Sequence, residues 1–433
     1  MRLQHLLKEF KIVVTSDGKI ELKDAGSNIG TCRLNLDPLR VRTIEAFIDM
    51  LREERLVRTR EYQTLGANLY SVLLENAIGQ ELIRQVDAQA PRNPLRVNLE
   101  FEAGPGSKGE ITYGLECWPW EYLFYEPARR QRGRSYFLAT TTKLTLTRSL
   151  WVQGLLSSTV LEEPPLRVLF FVARPSNLAR FDPKMTENAV ENFKKAVTKS
   201  LAERFPAIEE EKLVEFESWI DPDPTLASDH SPAYQAKATW ERFRALVLRI
   251  QPNVVHFLGH GDYDEEDGTG RIAFTLRNGE ANWIRDDVIT ETLELAKDGL
   301  KLVFLQACES GSPPKGSYNP YRGVSGIGLC LAKCDIPAVV AMQYNIKPRD
   351  ADIFAEAFYE ALAENEPIDV AVQSGRNKIA EGRGEAFGLP VLYSRKPGTL
   401  FPDKPAGESP RGYNPATAPV GGGPMQGPDP EIH

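Results

Sequence analysis

The segment from Leu166 to Ala173, LRVLFFVA, constrains the fold more than any other stretch. After Arg167 it is a continuous β-branched, aromatic and apolar run. A strand with one wet face alternates. A strand that stays apolar throughout is covered on both faces, as in a parallel sheet flanked by helices. The chain keeps to that plan as far as residue 400. Runs that read as strands (NVVHFLG, RIAFTLRNG, LKLVFLQA, PAVVAMQ, GLPVLYSR) alternate with helical patterns. Those patterns lie at Thr186 to Ala202, YQAKATWERFRALVLRI, IRDDVITETLELAKDG, Gly326 to Lys333, Arg349 to Ala363, and Ile368 to Ala380. Such alternation predicts right-handed crossovers and an α/β fold: a mostly parallel sheet with helices on both faces.

Three further segments flank this 161–400 core. Residues 1–90 open with a predicted hairpin, FKIVVTSDGKIELKD, turning at Asp17-Gly18. Two helical patterns follow, DPLRVRTIEAFIDMLREERL and EYQTLGANLYSVLLENAIGQELIRQVDAQ, each with one apolar face. Residues 91–160 read as strands, PLRVNLEFE and YFLATTTKLTLTRSL. Between them WPWEYLFYEP is dense in aromatics, and Trp118 and Trp120 are expected to pack on the sheet. Residues 401–433 are rich in Pro and Gly and poor in large apolar side chains. Such a tail buries too little surface to offset its ordering entropy, and disorder is expected.

The net charge of -8 argues against a protein that grips nucleic acid. The basic run RRQRGR, Arg129 to Arg134, reads as a solvated loop. Five cysteines, an odd and irregularly spaced set, suit a reducing compartment. The N-terminus shows no secretory signal pattern. No apolar run approaches the roughly 20 residues that span a bilayer. The expectation is a cytoplasmic protein without membrane contact.

In an open α/β sheet, ligands gather at the carboxyl ends of the strands. NVVHFLG is read as ending at His260-Gly261, and LKLVFLQA as ending at Cys308, followed by Glu309. Both residues then reach the same sheet edge. A neighbouring histidine can take the thiol's proton and later protonate a leaving amine. The amides of Gly261 and Cys308 are candidate donors to an oxyanion. Gln306, two before the cysteine, is expected to border the pocket for the residue preceding the cleaved bond. The acidic run DYDEEDG reads either as a solvated turn or as a groove wall. In the second reading its carboxylates, Asp262, Asp264 and Glu265, favour a basic substrate segment and raise the pKa of His260. Asp262, Asp264 and Glu309 join Gln306 as pocket candidates.

Other readings fall away. His256 reads as a satisfied core histidine. HFLGH lacks the glutamate and the helix of a zinc motif. The acidic run lacks the Gly and Glu of an EF-hand. Cys330 and Cys334 read as small core residues. No metal or organic cofactor is expected. The loop GSPPKGSYNPYRG, 311–323, is a surface loop that could order on activation.

Gln306-Ala307-Cys308, with His260 lying 48 residues upstream, is similar to the caspase signature and departs from it at Glu309-Ser310. VVHFLGHG and LVFLQACESG, in that order, spacing and strand context, resemble the CHAT family of caspase-like domains. So do PLRVNLEFE, WPWEYLFYEP and YFLATTTKLTLTRS before them, and DIPAVVAMQYNIKPRDADIFAEAFYEALAENEPIDVAVQSGRNKIA after them. The resemblance implies a caspase-type fold and a cysteine endopeptidase with nucleophile Cys308 and catalytic His260. It implies a protein or peptide substrate, an activating partner protein, and a role as an effector in bacterial stress or defence. Two alternatives stand beside it: a catalytically silent caspase-like module that binds a partner, and thiol chemistry on a small molecule.

Overall fold

The computed structural model describes residues 8–91, 93–102, 114–127, 134–150, 158–222, 237–264, 269–309, 324–334 and 336–402. The side chains at 263, 264, 308, 309 and 324–326 lie outside that description. So do the basic run at 129–133, the loop 311–323 and residues 403–433.

The chain opens with β1 (Glu9–Val14), β2 (Lys19–Asp24) and β3 (Ser27–Arg33). The expected hairpin joins β1 to β2, and Gly18 takes the positive φ of 78° that its turn requires. Helices α1 (Pro38–Arg52), α2 (Thr59–Leu73) and α3 (Ala77–Ala88) follow. Asp37 caps α1 through the amides of Leu39 and Arg40. The long pattern beginning at Glu61, read above as one helix, is in fact two. Asn76 accepts from the amides of Ile78 and Gly79 and starts α3 afresh. A Cβ on Gly79 would lie 1.8 Å from the Leu74 carbonyl oxygen, so glycine permits the tight corner. An Asn cap inside an unbroken apolar periodicity was the signal for this break.

Next come β4 (Leu95–Phe101), β5 (Phe124–Tyr125), β6 (Tyr136–Phe137), β7 (Leu144–Leu150) and β8 (Leu166–Val172). The second half holds α4 (Lys184–Arg204), β9 (Val214–Ile220), α5 (Trp240–Ile250) and β10 (Val254–Asp264). After these lie β11 (Thr269–Thr275), β12 (Ala281–Arg285), α6 (Asp286–Glu294) and β13 (Leu302–Glu309). The chain then forms α7 (Val324–Lys333), β14 (Ala338–Met342), α8 (Pro348–Ala363), α9 (Ile368–Glu381) and β15 (Pro390–Tyr393). Of the helix expected from Tyr234 onward, residues 234–236 lie outside the described residues and 237–239 are not helical; α5 starts at Trp240, where the Thr239 hydroxyl accepts from the Arg242 amide.

One sheet runs β12-β11-β10-β13-β14-β15-β7-β4-β1-β2-β3, and β8 pairs with β10 and carries β9 on its other edge. Strands β9, β8, β10, β13 and β14 are parallel neighbours, as are β15, β7, β4 and β1. The remaining pairs of this sheet are antiparallel. The N-terminal strands therefore continue the same sheet as the α/β core. Trp120 is fully buried and stacks on Phe101 of β4, as the sequence implied. The folded chain also reaches past residue 400: Phe401 is buried and its amide donates to Asn365 Oδ1.

Period-two alternation sorts β10 onto two faces. Phe257 meets Phe243 of α5 on one side. His256 meets Tyr359 of α8 on the other. A fully buried ion cluster ties the elements together: Glu121 binds Arg148 of β7 and Arg376 of α9. No described helix is long and apolar enough to cross a membrane.

Candidate active site

Strand β10 is long, and its two halves have different neighbours on one side. Val254 to Leu258 pair with parallel β8, whereas His260 to Asp264 pair with antiparallel β11. Strand β13 covers the other side from Val254 to Gly261. The expectation that the strand ends at His260-Gly261 is corrected here: β10 continues to Asp264, because β11 takes over the edge that β8 leaves. Gly259 sits at the handover. A Cβ there would approach the Phe257 ring at 2.8 Å and the Ala173 carbonyl at 3.2 Å.

The register brings the expected pair together. His260 pairs with Cys308, and Gly261 with Glu309, across the parallel β10–β13 ladder. Gly261 is buried inside this ladder rather than at a turn. The side chains of Cys308, Glu309 and Asp264 lie outside the described residues.

His260 is 4% exposed, and neither ring nitrogen has a hydrogen-bond partner among the described residues. Phe181 meets the ring edge-on at 5.4 Å between centroids. Burial pushes its pKa below the ordinary histidine value, and the backbone of Ala179 pulls the other way without reaching hydrogen-bond geometry. The net shift is thus downward rather than the upward one expected: desolvation is the leading effect, and it favours the neutral ring, while the acidic run from 263 to 268 lies outside the described side chains. Asp262 is half-buried and engaged elsewhere, with Arg271 Nη2 at 2.6 Å.

Beside His260 lies a cavity of about 220 Å³. Its base is Leu258, Gly259 and Gln306, and its walls are the segment Ala179–Asp182 and the start of α8. Gln306 thus borders the cavity, and Asp262 does not line it. The segment after β8 is held in place by Ser176, whose amide donates to Gly279, and by Asn177, whose Oδ1 accepts from the Ala281 amide.

A polar chain runs beneath the cavity. Tyr359 Oη lies 2.8 Å from His256 Nδ1, and His256 Nε2 lies 3.1 Å from Gln306 Oε1. Gln306 Nε2 donates to Thr186 Oγ1 at 3.1 Å, and the Thr186 hydroxyl donates to Asp352. Each of these contacts has one donor and one acceptor when Tyr359 donates to His256 Nδ1 and the His256 Nε2–H donates to Gln306. His256 also stacks on Phe304 at 4.3 Å. Full burial lowers its pKa to about 3. It is a satisfied core histidine, as its place in an apolar strand suggested.

Asp352, Thr186, Phe181 and Asn345 did not emerge from the sequence as site residues. Asp352 did carry a signal. It continues the buried stripe Ala355 and Tyr359 at helical spacing, where an apolar residue would be the rule.

The fold and this edge define an α/β protein with a cysteine and a histidine paired across adjacent parallel strands. The CHAT domain family model matches residues 64–405, and the chain belongs to that family. Comparison with curated proteins returns no match. Among solved structures, the Arg-specific cysteine proteinase gingipain R aligns at TM-score 0.38 and 10% identity, over 91% of this chain and 78% of its own. The complex of Porphyromonas gingivalis RgpB pro- and mature domains aligns at 0.39 and 11%, over 82% and 76%. The Saccharomyces cerevisiae separase–securin complex aligns at 0.33 and 12%, over 85% of this chain and 23% of that one.

Proposed function

We propose that this chain is a cysteine endopeptidase in which Cys308 is the nucleophile and His260 the general base and acid. The observation that carries the reading is the in-register pairing of His260, which lines a cavity, with Cys308. Paired strands lie about 4.8 Å apart, so the two residues start within reach of each other.

The chemistry follows in order. A neutral His260 can accept the thiol proton, and its burial favours that neutral state. The thiolate attacks the scissile carbonyl and forms a tetrahedral oxyanion, which the amides of Gly261 and Cys308 stabilise. The intermediate collapses to a thioester as the imidazolium protonates the leaving amine. Water, deprotonated by His260, then hydrolyses the thioester and frees the thiol. The family resemblance extends this to a cytoplasmic effector of bacterial stress or defence, started by a partner protein.

The test is cleavage of an unbiased peptide library by the full chain, with Cys308→Ala and His260→Ala beside it. Cleavage by the parent and its loss in Cys308→Ala support the reading. Cleavage retained in Cys308→Ala would overturn it. Labelling of Cys308 by a peptide electrophile without any peptide cleavage would favour thiol chemistry on another substrate.

A further inference from the structure

Among the described residues lining the cavity beside His260, carboxylates outnumber cations. Asp352 is 8% exposed, accepts the Thr186 hydroxyl, and has no cationic partner among the described residues. Asn345 Oδ1, on the same wall, is buried without a donor. Asp182 and Glu54 add two exposed carboxylates to the lining, against Arg180, the single cation among the described lining residues. Leu258, Phe181, Ile346 and Ala351 supply apolar walls between them. Gln306 brings no free amide, because its groups are engaged with His256, Thr186 and Asp352. At about 220 Å³ the space falls below the roughly 300–1,000 Å³ of small-molecule sites, which suits one side chain.

We propose that this cavity receives the side chain of the substrate residue preceding the scissile bond, and that this residue is lysine or arginine, held by Asp352 with Asp182 and Glu54 at the rim. The proposal rests on the peptidase reading above and names its substrate class. Its argument is complementarity. A basic side chain threads an apolar stem past Leu258 and Ile346 and brings N–H donors to Asp352 and Asn345 Oδ1. An apolar guest would leave Asn345 unpaired and seal a lone carboxylate away from water, and an acidic guest would add a like charge beside it. Burial, with Asp182 adding to it, raises the Asp352 pKa; a bound cation opposes that push. The polar chain from Tyr359 also ends on Asp352 as an acceptor, the role an ionised carboxylate fills.

The experiment has two arms. In the first, peptides that differ only in the residue before the cleaved bond (Arg, Lys, Leu, Gln, Asp) are compared by kcat/KM with the full chain. Arg or Lys should exceed Leu and Asp by about tenfold or more. The Arg-to-Leu ratio should fall about tenfold in Asp352→Asn and about threefold in Asp182→Asn, whose exposed position spares the fold. A preference for Leu, Gln or Asp, or an unchanged ratio in both variants, overturns the proposal. In the second arm, agmatine is titrated into the full chain by calorimetry. Saturable binding, weakened in Asp352→Asn or Asp182→Asn, supports the pocket even if no peptide is cleaved and the peptidase reading fails. Absent binding together with uncleaved peptides overturns both.

Discussion

Replacing Glu121 should weaken this fold more than any other single loss of charge described here. Glu121 is fully buried and is the anion shared by two buried arginines. Its carboxylate accepts from Arg148 Nε at 3.0 Å and from Arg148 Nη2, and it lies 3.6 Å from Arg376 Nη2. The remaining guanidinium groups spend their hydrogens on carbonyls: Glu116 for Arg148, Leu146 and Pro390 for Arg376. Those bonds stay when Glu121 is removed, but the neutralising charge does not. Burial already lowers the Arg376 pKa to about 10, with Arg148 pushing the same way and Glu121 opposing. Stranding a buried charge costs about 3–5 kcal/mol. With two arginines on one carboxylate, Glu121→Ala belongs near the top of that range, about 4–5 kcal/mol. Glu121→Gln keeps one acceptor and should lose about 3 kcal/mol. The assay is equilibrium urea unfolding of the full chain at pH 7. Pairing Glu121→Gln with Arg376→Met should recover part of the loss, because one stranded cation goes with it. A loss below about 1 kcal/mol in both single variants, or no recovery in the pair, would refute the argument.

Two further outcomes concern the histidines. The His256 pKa is lowered to about 3 in the fold, whereas the unfolded chain binds a proton below the ordinary value of 6.5. Its contribution to stability is therefore complete above pH 6.5 and is lost as pH falls from 6.5 toward 3, at up to ~1.4 kcal/mol per pH unit. Denaturation of His256→Leu across that window should show a lower but flatter profile; an equal slope would mean that this ring does not set it. For His260, burial predicts that the acid limb of kcat/KM falls below pH 6.5. A limb at or above pH 7 would return the neighbouring carboxylates to first place.

Much of this molecule was legible from local pattern. The apolar run at β8 and its alternation with helices specify a parallel, doubly covered sheet, because only that arrangement keeps such strands out of water. Asp17-Gly18 marked its hairpin for a backbone reason, and WPWEYL announced itself as packing by its aromatic content. His260 and Cys308 stood out as candidates because each closes an apolar run in the sequence. The break at Asn76, the strands β3 and β12, and the run of β10 beyond His260 were missed. The break at Asn76 had a local signal in its cap, but the strands depend on which element lies alongside: a strand continues when a neighbour accepts its backbone bonds, and β11 does so where β8 stops.

The sequence by itself determined that the chain forms an α/β sheet with a histidine and a cysteine near strand ends, because period, burial and turn chemistry are local properties. Tertiary structure decided the rest. It brought the positions of His260 and Cys308 into register and buried His260 deeply enough to lower its pKa. It also set Asp352, 92 positions further on, into the wall beside that histidine. Register, desolvation and the company of a charge belong to the assembled sheet and helices, and no run of residues states them.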